Sequence, residues 1–140
     1  MTDTATNRSL TLAGARKVLD AAVAAAENMG KAFCITVADT AGEPIATARM
    51  DGAPLMSMGI SANKAYTVAG FNGVSTGGFW EAIKDQPALV HGITHTPRLI
   101  VFGGGVGVFA DGALVGAVGV SGGSADEDAE VAAAGAAALR

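Results

Sequence analysis

Leu12, Ala15, Leu19, Ala22, Val23, Ala26 and Met29 recur at steps of three and four residues. That period predicts an amphipathic helix over 11–29, stopped by Gly30. The period then falls to two: 33–39 reads as a strand, Thr40, Ala41, Gly42 and Glu43 as its turn, and 45–50 as the antiparallel return. Asp51, Gly52, Ala53 and Pro54 break the chain before Leu55, Met58, Ala62, Ala65 and Ala69 restore a helical spacing over 56–70. The methionines of that stripe are read as core fillers. A short helix is expected over 79–84, entered through Ser75 and Thr76, and an exposed loop over 87–97.

The back third is rich in glycine and β-branched residues. Strands are expected at 98–102, 106–110 and 114–120, the last two joined by the hairpin signal Asp111-Gly112. The final helix opens with the capping box Ser124-Ala125-Asp126-Glu127, and Asp126, Glu127 and Asp128 suit the positive end of a helix better than a metal site. The order of helix, two strands, helices, three strands and helix predicts an α+β fold with a five-stranded antiparallel sheet layered by helices. Residues 1–9 form a polar N-terminal extension, and 10–140 form one domain.

Two catalytic motifs occur in this tract, and neither has its full context. Gly105-Val106-Gly107-Val108-Phe109-Ala110 satisfies G-x-G-x-x-A. A dinucleotide loop must open a helix, whereas this one runs into a hairpin. Gly119-Val120-Ser121-Gly122-Gly123 matches a G-x-S-x-G elbow, yet both histidines, His91 and His95, precede Ser121. In that fold the histidine follows the serine. Ser121 is therefore read as a turn or cap residue.

Composition narrows the class further. Charged residues make up 16% of 140, glycine occurs 20 times, and half the chain is hydrophobic. So little charge suggests that subunit contacts cover part of the surface, and a homo-oligomer is expected. A net charge of −4 with dispersed lysines and arginines argues against nucleic acid. No apolar run reaches membrane-spanning length, and the polar start does not resemble a signal peptide, so a cytoplasmic protein without a membrane partner is expected. Cys34, alone in an apolar run, is read as a small buried hydrophobe.

The landmarks together resemble one family. Leu10-Thr11-Leu12, Val37-Ala38-Asp39 before a glycine turn, Arg49-Met50-Asp51-Gly52-Ala53 and Lys64-Ala65-Tyr66-Thr67 are similar to the first half of GlcG/HbpS-type heme-binding proteins. Gly103-Gly104-Gly105, the Asp111-Gly112 hairpin, Gly116-Ala117-Val118-Gly119-Val120-Ser121-Gly122 and the acidic start at Asp126 are similar to the second half. The resemblance implies a profilin-like sandwich with a five-stranded antiparallel sheet and assembly into higher oligomers, often octamers. It also implies heme or another tetrapyrrole as ligand, with corrinoid-related relatives in the PduO C-terminal region.

Several residues suit such chemistry. His91 and His95 are four apart, a metal-binding spacing on a helix, but Gly92 and Pro97 weaken that helix. Two readings stand open: each is a plain loop histidine, or His95 ligates heme iron as a neutral imidazole. Arg49 and Lys64 suit heme propionates or a substrate carboxylate, or else an ion pair with Asp51 or Asp39. The amides of Gly103, Gly104 and Gly105 can cradle an oxyanion, or the triplet is a bulged turn. Phe71, Phe79 and Trp80 either wall a pocket or fill the core.

Two functions follow. The first is an oligomeric small-ligand binder for heme or a related tetrapyrrole. The second is a cofactor-independent lyase, isomerase or hydratase working in an intersubunit cleft. There Asp51 or His95 moves the proton, Arg49 holds a carboxylate, and the glycine amides stabilise an oxyanion.

Overall fold

A computed structural model describes residues 2–139. The elements are α1 (Leu12–Met29), β1 (Cys34–Ala38), β2 (Pro44–Arg49), α2 (Ser57–Gly70), α3 (Thr76–Ile83), α4 (Pro87–Ile93), β3 (Gly105–Ala110), β4 (Ala113–Ser121) and α5 (Ala125–Ala136). The strands form one antiparallel sheet in the order β2-β1-β4-β3. Helices α1 and α5 cover one face and α2 the other, an α+β arrangement in three layers.

Local chemistry explains the boundaries. Thr11 caps α1 by accepting the Gly14 amide at 3.1 Å, and Gly30 ends it in the left-handed region at φ 72°. The buried stripe of α1 is Ala15, Val18, Ala22 and Ala26, small enough to lie close to its neighbours. At α5 the capping box is complete: Ser124 Oγ accepts from Glu127 N, and Glu127 Oε1 accepts from Ser124 N at 2.9 Å.

The sheet alternates as a two-sided strand set must. Ile35 and Val37 join Val118, Val120, Val131 and the α1 stripe in the main core. Ala38 and Ala117 face Ala65 and Val68 of α2, and Thr36 Oγ1 bonds Ser61 Oγ at 2.8 Å within that layer. Helix α2 lies so close to β4 that a Cβ on Gly119 would overlap the Ser61 carbonyl oxygen. Any larger residue there would push the helix off the sheet.

Two expectations are corrected. The sheet has four strands rather than five, because 98–102 is not a strand. Arg98 is left-handed at φ 66°, its carbonyl accepts from Thr67 Oγ1, and the Ile100 amide donates to the same hydroxyl at 2.9 Å. A side chain of α2 thus takes backbone groups that a ladder would have used. Pairing resumes where Val120 N donates to Gly104 O at 2.8 Å. The expected loop over 87–97 contains the helix α4 instead. Pro87 presets its first turn, and none of its residues is buried.

The capping box yields a pH signature. Bonds from Lys31, then from the Ser124 amide, hold the Glu127 carboxyl down to about 2 against an ordinary 4.5. Between those values the unfolded chain binds the extra proton, so stability is present above pH 4.5 and is lost as pH falls toward 2. Glu127→Gln should lower the urea midpoint at neutral pH and flatten its decline across that window, most visibly at low salt. An acid limb identical to that of the parent would contradict this assignment.

Candidate functional site

The sequence between α2 and α3 first separates core from surface. Phe71 and Phe79 pack edge to face with centroids 4.5 Å apart, and Phe79 is buried. Trp80, the next residue on α3, is 38% exposed. Ser75 caps α3 by accepting from Gly78 N at 3.0 Å. Thr76, buried, accepts the Gly105 amide at 2.9 Å and ties the start of α3 to the start of β3. The alternatives for the three aromatics therefore divide: Phe79 is core, and Trp80 faces a cleft.

That cleft measures about 500 Å³. Its lining includes Trp80, the 49%-exposed Phe102 and the small residues Gly77, Gly103, Ala125 and Ala129. The small residues matter because the segment 101–103 is wedged between two helices. A Cβ on Gly103 would stand 3.1 Å from the Ala125 carbonyl, and one on Gly77 would stand 3.6 Å from Gly103 Cα. Among the described residues, the only charged ones that line it are Glu81 and Asp126. The result is a slot with aromatic sides, a backbone-like floor and an acidic rim, within the size range of small-molecule sites.

Behind Phe102 lies a buried ion pair. Lys64 is fully buried, and its Nζ donates to Val120 O at 2.7 Å and to Asp128 Oδ2 at 3.0 Å. It also sits 5.0 Å from the Phe102 ring centroid. Asp128 Oδ1 accepts the Gly123 amide at 2.9 Å. Burial pushes the Lys64 ammonium down, opposed by Asp128. Burial pushes the Asp128 carboxyl up, opposed by the Gly123 amide and by Lys64. Each charge is kept by its partners rather than by water.

The expected ligand-binding residues are dispersed. Lys64 meets a carboxylate, but it is that of Asp128 and not Asp51 or Asp39. Gly104 and Gly105 are buried against this lysine: a Cβ on Gly104 would collide with Lys64 Nζ, and one on Gly105 would come 2.9 Å from Lys64 O. Of the triplet, Gly103 alone lines the cleft. Arg49 and Asp51 are exposed and share a shallow groove with Val23 and Glu27, between α1 and the end of β2. His91 lies in the last turn of α4 and His95 just beyond it; both are exposed, and neither lines the cleft.

Other candidates are now placed. Cys34 is buried, and burial raises its thiol pKa against a smaller opposing effect of Arg49. Ser121 is buried and donates to Ser57 Oγ at 3.2 Å. Among the described residues, no three His, Cys, Asp or Glu side chains gather as a metal site, and no helix is long and apolar enough to cross a membrane.

Sequence reasoning took Asp128 for a helix-start charge and missed its partner. The signal was periodic: Asp128 falls on the buried stripe Asp128, Val131, Ala132 and Gly135 of α5. Lys64 falls likewise on the stripe Ser57, Ser61, Lys64, Ala65 and Val68 of α2. A charge on each of two buried stripes is a reason to look for a pair. Arg98 also passed unnoticed; it stacks over Tyr66 at 3.8 Å and reaches Asn63 Oδ1 at 3.3 Å.

Removing one member of the pair strands the other. Lys64→Met should cost about 3–5 kcal/mol in urea unfolding, and adding Asp128→Leu should recover most of that loss. Parent-like stability of Lys64→Met alone would show that the ammonium does not hold Asp128.

Comparison with known proteins places this geometry among relatives. The family model described as "Haem degrading protein HbpS-like" matches residues 10–137. A 15.0 kDa protein in the dhaT-dhaS intergenic region of Citrobacter freundii is 36% identical over 122 residues, 86% of this chain and 84% of that protein. The crystal structure of a double mutant of Streptomyces reticuli HbpS aligns with TM-score 0.86 at 34% identity, covering 99% of this chain and 92% of that one. The PduOC:heme complex aligns with TM-score 0.85 at 28% identity, covering 94% and 96%.

Proposed function

The chain belongs to the HbpS-like family, and from that premise we propose that it binds heme or a related tetrapyrrole in the cleft between α3, the 101–103 segment and α5. The observation that carries the reading is the slot itself. Trp80 and Phe102 offer two partly exposed aromatic walls over a floor of glycine and alanine, a shape suited to a flat apolar ring. A solved relative in complex with heme supports the same ligand class.

The apolar lining suits the face of the macrocycle, but among the described residues it offers no imidazole for the iron and no lysine or arginine for carboxylate side chains. His95, exposed after α4 and outside this lining, would be the imidazole that holds the iron. Bound heme would supply an iron centre able to exchange ligands and electrons. The chain's own part is to stack on the ring through Trp80 and Phe102, let it approach the backbone at Gly77 and Gly103, and exclude water with Ala125 and Ala129. Association of copies belongs to this reading. Leu55 and Met56, at the turn before α2, are 72% and 80% exposed, more than a solitary soluble domain needs to show.

Hemin should give a saturable Soret change with micromolar protein. Trp80→Ala and Phe102→Ala should each weaken it about tenfold, and His95→Ala should shift the band. Titration that never saturates, or affinity in both aromatic variants equal to that of the parent, would remove the cleft as the site. Light scattering should give a mass above that of one chain, reduced by Leu55→Glu with Met56→Glu. A parent that scatters as a monomer would exclude the assembly.

A further inference from the structure

The rim of the cleft says something about which macrocycle it accepts. Glu81 of α3 and Asp126 of α5 both border the slot, and no cation among the described residues lines it. The nearby ammonium groups are engaged. Lys84 is bonded to Glu81 at 2.6 Å and offsets part of that acid's charge, Lys64 is buried behind Phe102 against Asp128, and Lys31 pairs with Glu127. Asp126 has no ion pair among the described residues. Ionised carboxylates accept hydrogen bonds and donate none. A ligand placing its own carboxylates at this rim meets like charge, whereas one carrying primary amides presents N–H groups to both acids.

Resting on the cleft reading above, we infer that Glu81 and Asp126 select the ligand by charge. The slot takes a macrocycle with uncharged, amide-bearing side chains in preference to one with free carboxylates. Trp80 and Phe102 supply ring affinity common to both kinds, and the two acids supply the difference. Two partly solvated charges near a dianionic ligand amount to about a tenfold discrimination, weakened by salt.

Hemin and its bis-propionamide are compared by quenching of Trp80, the chain's single tryptophan. In the parent the diamide should bind about tenfold tighter at low salt, with a smaller margin at high salt. In Glu81→Gln with Asp126→Asn the two affinities should converge to within about twofold. Asp126→Asn leaves the Ser124–Glu127 capping box in place, and an unchanged urea midpoint verifies that the variant folds. Equal or tighter binding of hemin by the parent overturns the selection while leaving the cleft as a tetrapyrrole site, and so does a preference that persists in the double variant. No quenching by either ligand overturns the cleft reading, and the selection with it.

Discussion

A lysine that has lost all its water organises this molecule. Lys64 rises from α2 and Asp128 from α5, helices on opposite faces of the sheet, and they meet beside the ends of β3 and β4. Neither charge is tolerable there alone. Their meeting imposes conditions on everything around it. Gly104 must lack a side chain because Nζ occupies that space, and Gly119 must lack one because α2 has to lie low enough for Lys64 to reach. The Val120 carbonyl must turn toward the ammonium, and Phe102 is held over it. Phe102 of the cleft lining is thus positioned against a buried ion pair.

Legibility followed the range of the forces. Helix α1, the β1–β2 and β3–β4 hairpins and the capping box of α5 are governed by neighbours within a few residues, and spacing with turn chemistry located them. The segment 98–102 has strand composition, but Thr67, some thirty residues away, takes its backbone bonds. Helix α4 has no buried face, so no apolar period could announce it. Lys64 and Asp128 are 64 residues apart and became partners only when two stripes were brought together. The triple glycine stood out in sequence for good reason. Two of its members, however, make room for the buried pair, and only Gly103 reaches the cleft.

Family membership and the cleft carry different parts of the functional argument. The ligand class proposed above rests on the family. The residues supply the manner: stacking walls from α3 and the 101–103 segment, a floor without side-chain bulk, and acids at the mouth. Neither histidine lines the cleft, which is lined chiefly by a tryptophan, a phenylalanine and four small residues.

The sheet has two open edges, β2 and β3, and both are irregular. Register shifts interrupt the ladder between Val37 and Ala38 and between Val108 and Phe109, and β2 begins at Pro44, which has no amide hydrogen to give. Such edges are poor templates for an incoming strand. Joining by an added strand is therefore disfavoured, and an exposed border that would invite fibrous growth in a flat sheet is closed to it by geometry.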